Sequence, residues 1–267
     1  MYITYLGTAA AEGVPAVFCD CEHCRYARAA GEKEIRMRSG ALVDGKLKID
    51  FGPDAYAQSL RFGLNYVQVE HVLITHSHSD HLAPSDLACI RPPYSHRKTP
   101  LKVYGNETVG RKVLPLCETG KLEFVQLKPF ETVTIDEYQV TPLEAVHAVG
   151  SGEEALIYMI ERDDRRLLYA HDTDVLTEAD LDYLKGRRMD LISLDCTNGV
   201  LDLDYIGHMG IADNHMMRKR LIDNGTADEK TVFVANHFSH NGLVAHEEME
   251  KRLYGFKVSY DGMTVRV

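Results

Sequence analysis

Six consecutive residues, His76-Ser77-His78-Ser79-Asp80-His81, bring three imidazoles and a carboxylate together directly after the apolar run "HVLIT". Imidazole nitrogen and carboxylate oxygen are the ligand set of zinc, manganese or iron. In an extended segment, residues two apart face the same side. His76 and His78 can therefore grip one ion, while Asp80 and His81, past a turn, address a second. Without a cation such a cluster would carry desolvation and like-charge costs. Three more candidates stand at the ends of other apolar runs: His147 after "TPLEAV", Asp172 after "RLLYAH" and His237 after "TVFVAN". Together they suffice for two ions, with Asp172 as the expected bridge.

A second cluster lies near the start of the chain. Cys19, Cys21 and Cys24 form C-x-C-x2-C in "CDCEHC". Three thiolates fill three corners of a zinc tetrahedron and leave one open. His240, three residues after His237, can close it, and so can His23 inside the cluster. A six-residue loop that gathers all four ligands would be strained. A disulfide and an exposed redox switch are the other readings of the cysteines. The remaining cysteines, Cys89, Cys117 and Cys196, read as buried small hydrophobes.

Strands and helices must position these groups. The run "YITYLG" is a first strand, and "GALVDGKLKIDFG" is a hairpin turning at Asp44-Gly45. The segment 53–63 reads as a helix between Pro53 and Gly63. Beyond it, strand-like "LKVYG", "FETVTIDEYQVTPLEAVHA", "MDLISLD" and "TVFVAN" alternate with helical "NETVGRKVLPL", "TEADLDYLK", "IADNHMMRKRLIDNG" and "AHEEMEKRLYG". A second hairpin, "ALIYMIERDDRRLLYAHD", turns at Asp163-Asp164, and the last residues form a strand. No repeat or linker divides the chain, so 1–267 is expected to be one domain. Sheet on sheet with helices outside is one of the few layer architectures that fits.

The 267 residues are 45% hydrophobic, enough for a full core. A net charge of -10 argues against a broad nucleic-acid surface. It leaves room for a small anionic substrate, because bound cations invert the local field. No apolar run reaches the roughly 18–20 residues of a membrane span. The N-terminus lacks a basic region and a long apolar core, so no secretory signal is expected. A cytoplasmic, reducing setting follows.

The pattern HxHxDH, followed by a later His, Asp and His, resembles that of the metallo-β-lactamase superfamily. The match extends to the opening "YLGTAAAEGVP" and to "IDFGPD". This resemblance implies an α+β fold, a four-layer αββα sandwich with a dinuclear site at one edge of the sheets. It assigns His76, His78 and His147 to one metal, Asp80, His81 and His237 to the other, and Asp172 to both. Two such ions (Zn, Mn or Fe) hold a hydroxide that attacks phosphorus or a carbonyl carbon, and Asp80 can orient it.

The cysteines and His240 are similar to the structural zinc site of the PhnP phosphodiesterases of the carbon–phosphorus lyase pathway. That family uses a further histidine as general acid. "DYIGHMGIADNH" offers His208 and His215. His208 precedes the expected helix and fits the role, whereas His215 reads as a surface or packing residue. The leading expectation is a phosphodiesterase acting on a small, cyclic or linear, phosphate ester, without nucleic-acid or membrane partners and with a homodimer allowed. The alternatives are a lactonase or thioesterase, a tRNA 3′-processing nuclease, and a non-catalytic carrier in cofactor biosynthesis. Arg91, in the basic segment "RPPYSHRK", is a candidate phosphate contact, and that segment is the first place to look for anion binding. His171 could support the ligands from behind.

Overall fold

The computed structural model describes residues 1–150, 152–201, 203 and 207–267. The strands are β1 (Tyr2–Gly7), β2 (Gly40–Val43), β3 (Leu47–Ile49), β4 (His71–Leu73), β5 (Leu101–Gly105), β6 (Leu122–Gln126), β7 (Val133–Ile135), β8 (Tyr138–Glu144), β9 (Leu156–Arg162), β10 (Arg165–Ala170), β11 (Leu191–Asp195), β12 (Val232–Asn236), β13 (Phe256–Val258) and β14 (Thr264–Arg266). The α-helices are α1 (Glu22–Ala30), α2 (Ala55–Phe62), α3 (Pro84–Leu87), α4 (Glu107–Val113), α5 (Glu178–Leu184), α6 (Ile211–Asp223) and α7 (His246–Arg252).

These strands form two seven-stranded sheets, ordered β14-β1-β2-β3-β4-β5-β6 and β13-β12-β11-β10-β9-β8-β7. Period-two alternation divides their side chains between two layers. On β1, Ile3 and Tyr5 enter the core between the sheets, where they join Ile49, Leu73, Val140, Tyr158, Leu167, Leu191 and Val234. Leu6 points the other way, into a layer closed by Leu87 of α3 and by Val109 and Val113 of α4. Behind the second sheet, Leu181 and Leu184 of α5 and Met217 and Leu221 of α6 cover Ile157, Leu168 and Ile192. The result is helix, sheet, sheet, helix, the expected αββα sandwich.

Both hairpins form at the expected aspartates. Asp44 and Gly45 take positive φ (50° and 72°) with Val43 opposite Leu47. Asp163 (φ 54°) turns β9 into β10, with Arg162 opposite Arg165. The helix expected over "NETVGRKVLPL" is α only to Val113, and a 3-10 turn, Leu114–Thr119, continues it. Pro115 lacks the N–H that an α-helical bond would need. Among the strands and α-helices, α1, α3 and β6 have no counterpart in the sequence reading, and the single strand expected of the last residues is two, β13 and β14, in different sheets. Helix α1 buries only Cys24 and Ala27, so it shows almost no apolar stripe for a periodicity argument to detect.

Candidate metal centre

The candidate ligands all sit where strands end. β4 stops at Leu73, and the chain runs on through Thr75 to His76, His78, Asp80 and His81. His147 follows β8, Asp172 follows β10 and His237 follows β12. Two sheets thus deliver side chains to one edge of the sandwich. One group gathers His76, His78, His147 and Asp172, and another gathers Asp80, His81, Asp172 and His237, with the ligand atoms of each within 4.8 Å of one another. Asp172 belongs to both, as a bridging carboxylate must. Its Oδ2 lies 3.4 Å from His76 Nε2, 2.7 Å from His81 Nε2 and 3.5 Å from His237 Nε2, and its Oδ1 lies 3.5 Å from His147 Nε2.

Behind these groups stand two carboxylates that the sequence reading missed. Asp50, just past β3, accepts from His81 Nδ1 at 2.7 Å and from the Thr75 N–H at 2.8 Å. Thr75 Oγ1 in turn lies 3.0 Å from His76 Nδ1. Asp195, the last residue of β11, accepts from the N–H groups of Asp172, Thr197 and Met209 and lies 3.3 Å from His237 Nδ1. The Nδ1 atoms of His76, His81 and His237 are thereby engaged from outside and their Nε2 atoms turned inward, which fixes tautomer and ring orientation, whereas His78 turns its Nδ1 inward. Asp50 and Asp195 end apolar strands ("KLKID", "LISLD") just as the candidate ligands do, and that signal could have found them. Close packing serves the same end: a Cβ on Gly52 would sit 1.7 Å from the Asp80 carbonyl oxygen.

Three residues here are held in the left-handed backbone region: Asp50 (φ 58°), Asp172 (φ 57°) and His237 (φ 63°). Each such residue costs on the order of 1–3 kcal/mol, a strain that persists only where the surroundings impose it. Burial opposes ionisation of Asp172, but His237 and His81 outweigh it and hold the carboxyl well below its usual range. Burial also disfavours a charged His76, which stays below the ordinary imidazole value. At His81 burial acts in the same direction, yet the carboxylates of Asp80, Asp50 and Asp172 prevail and raise it. A dication bound among these carboxylates would compete with protons for the same imidazole nitrogens.

Two observations fit metal ions. Among the described residues, His81 Nε2 and His237 Nε2 are buried and make no hydrogen bond of normal geometry, although Asp172 Oδ2 lies 2.7 and 3.5 Å from them. The inward nitrogens are also spaced like tetrahedron corners, with His76 Nε2 and His147 Nε2 at 2.9 and 3.2 Å from His78 Nδ1. Zinc–nitrogen bonds of about 2.0–2.1 Å give edges of about 3.3 Å.

A family model described as "Beta-lactamase superfamily domain" matches residues 47–223. The chain belongs to this superfamily. Coenzyme PQQ synthesis protein B of Methylorubrum extorquens is 26% identical over 99% of both chains. Ribonuclease Z of Methanopyrus kandleri is 29% identical over 43% of this chain, and the match spans 42% of that enzyme. Among solved structures, a diphosphatase from the PhnP family has a TM-score of 0.76 at 22% identity, covering 100% of this chain and 97% of its own. Zinc-bound PqqB from Methylobacterium extorquens has a TM-score of 0.78 at 20% identity, covering 100% of both chains. The fold is that of the metallo-β-lactamase superfamily of hydrolases, and the fold family implies divalent metal ions.

In this superfamily member the second cluster also comes together. Cys19, Cys21, Cys24 and His240 place their ligand atoms within 4.8 Å of one another, and His23 is not part of the group. His240 Nδ1 lies 3.6 Å from Cys19 Sγ and 3.5 Å from Cys21 Sγ. Bonds of about 2.3 Å to sulfur and about 2.0–2.1 Å to nitrogen give an edge of about 3.6 Å. All three cysteines are free thiols, so the disulfide reading fails. Of the other cysteines only Cys196 is buried; Cys89 is exposed and Cys117 half-buried, because both lie in short 3-10 turns on the surface.

His208 stands beside both ligand groups. Its Nδ1 is 3.2 Å from Asp195 Oδ2 and 3.3 Å from Asp172 Oδ1. Burial disfavours its charged form, but those carboxylates prevail and lift it to about 9. His215 instead bonds the Arg252 carbonyl from the flank of α6 and stacks on Tyr254, as a packing residue. His171 turns inward to Ser193 and Asn236. Arg91 is exposed. A cavity of about 370 Å³ opens over the centre, with His208, Glu12, Asn198, Ser239, Asn241 and Leu203 in its wall.

Proposed function

We propose that the protein is a metal-dependent phosphodiesterase that cleaves a small phosphate diester. The observation that carries this reading is the arrangement of His208 beside two ligand groups that share Asp172, all facing one cavity. His76, His78 and His147 would hold one divalent ion, Asp80, His81 and His237 the other, and Asp172 both. When bound, such a pair supplies a nucleophile at neutral pH and neutralises charge on the phosphoryl oxygens. Cys19, Cys21, Cys24 and His240 would hold a separate, structural zinc.

The chain's own groups do the rest. Asp50, Thr75, Asp195 and Thr197 orient the ligand imidazoles through their Nδ1 atoms. Asp195 also orients His208 through Nδ1, which makes the Nε2 proton the one to be given to a leaving alkoxide. Among the described residues the cavity wall has no Lys or Arg and carries Glu12. A singly charged diester needs no cation beyond the metals, whereas a monoester dianion or a triphosphate would meet Glu12 uncompensated. The same lack of basic groups, together with the net charge of -10, disfavours tRNA.

The test is a substrate panel with defined metals: bis(p-nitrophenyl) phosphate, an alkyl phosphodiester, a cyclic nucleotide, a homoserine lactone and a thioester. Diester cleavage is expected, and lactone hydrolysis alone would overturn the reading. His208→Ala should lose about 10²–10⁴-fold on the alkyl diester and far less on the p-nitrophenyl ester, whose leaving group needs no proton. Equal losses on both would remove His208 from the acid role. One observation favours a second reading, a role in cofactor biosynthesis: the match to a PQQ synthesis protein over 99% of both chains. Inactivity of the metal-loaded protein on every ester in the panel would support it.

A further inference from the structure

In an extended segment, the residue between two that share a face points away from both. Ser77 stands so between His76 and His78, and it is buried. Two residues hold it at three points. Its N–H donates to Glu153 Oε1 at 2.9 Å and its Oγ to Glu153 Oε2 at 2.5 Å. Its carbonyl accepts from Lys112 Nζ, on α4, at 2.6 Å.

Glu153 is held in turn. Asn106 caps α4, with its Oδ1 accepting from the Val109 N–H at 2.9 Å, and it is buried too. Its Nδ2 donates to Glu153 Oε1 and to the Glu154 carbonyl, both at 2.8 Å. The Glu153 carboxylate therefore meets three donors, and hydrogen bonds to an ionised acceptor are the stronger kind. Glu153 lies in the connection from β8 to β9, which also carries His147. The clamp thus ties a loop of the second sheet, with His147, to the loop of the first sheet that bears His76 and His78. Three residues on, the Leu156 N–H bonds the Thr75 carbonyl at 2.9 Å and continues the same seam.

We propose that Glu153 is a positioning residue. Through Ser77 it sets His76 and His78 against His147, and so tightens one of the two ions, the one those three imidazoles would hold. It works on the backbone between two ligands, whereas Asp50 and Asp195 act on imidazole Nδ1 atoms. The proposal rests on reading the His/Asp cluster as a metal centre, and not on which ester is cleaved there.

The test is Mn²⁺ binding by the intact protein with zinc kept at its cysteines, read from the EPR signal of the free ion. Thiolates are poor ligands for Mn²⁺, so the ion reports on the His/Asp cluster. The unaltered protein should take two ions. Glu153→Ala should weaken one of them by about 10–100-fold and leave the other nearly unchanged. Glu153→Gln should restore it, because Oε1 still receives both N–H donors and Nε2 can donate to Ser77 Oγ. A merely structural role would lower the thermal midpoint and leave both affinities as they are. In a His237→Ala background, which removes a ligand of the other ion, Glu153→Ala should weaken the ion that remains; if His237→Ala itself binds none, the single variants decide. If Glu153→Ala unfolds, Ser77→Ala takes its place, since it loses only the Oγ arm and should show a smaller loss at one ion. Unchanged affinity for both ions, equal weakening of both, or no rescue by glutamine would each overturn the proposal and leave the proposed function standing. No Mn²⁺ bound by the unaltered protein would overturn the metal reading and this proposal with it.

Discussion

The two candidate metal clusters are built in opposite ways. The His/Asp cluster takes its groups from the ends of strands in both sheets, and carboxylates already in the fold brace its imidazoles from behind. The cysteine cluster takes three of its four groups from one short stretch, with Cys21 capping α1, and only His240 arrives from far along the chain. Every member of the group Asp80, His81, Asp172 and His237 is buried, whereas Cys19, Cys21 and His240 are half-exposed. The difference teaches what each ion would do for the chain. At the first site the fold prepares a place for metal and holds strained backbone to do so. At the second a metal would prepare the fold, tying a surface loop to the strand end that also carries His237.

This contrast can be broken experimentally. The largest effect is expected at the shared carboxylate. Asp172→Ala should cost more turnover than the about 10–100-fold typical of a supporting residue, and should lower occupancy of both ions while zinc at the cysteines remains. Loss of one ion alone, by metal analysis, would show that Asp172 does not bridge. Next comes Asp50→Asn, which leaves the ligands in place but weakens the brace on His81. Metal affinity should fall by about 10–100-fold with little change in thermal midpoint. An unchanged affinity would mean that the strand ends alone suffice.

The smallest effect on turnover is expected at Cys21→Ser. This change should release the structural zinc and lower the melting temperature by about 5 °C or more, with activity at low temperature nearly intact. In the unaltered protein, mild chelation should remove the two catalytic ions first and leave one. A stable Cys21→Ser protein without turnover would place the cysteines in the reaction and erase the contrast.

The two clusters were also unequally legible. HxHxDH is contiguous and declares itself. His147, Asp172 and His237 were found because each closes an apolar run. Asp50 and Asp195 close such runs as well, but nothing in a strand-ending aspartate says whether it faces a metal or the back of an imidazole. The left-handed backbone at Asp50, Asp172 and His237 leaves no trace in residue type, since tertiary packing imposes it. His240 and His23 could not be separated by spacing, because the answer depends on how far β12 carries residue 240 towards the first loop. The layer architecture was readable from alternation, while α1, rich in Arg and Ala with two buried residues, was not.

Strand β14 bears on how the chain assembles. It lies beside β1, with Arg266 opposite Tyr2 and the Val267 N–H bonded to the Met1 carbonyl. During synthesis β1 therefore keeps one edge uncovered until residues 264–266 emerge. His237 emerges well after His76, so a nascent chain carries half-built sites while most of the second sheet is made. The group of His76, His78, His147 and Asp172 is complete once residue 172 has been made, whereas the group with Asp80 and His81 waits for His237, after β12.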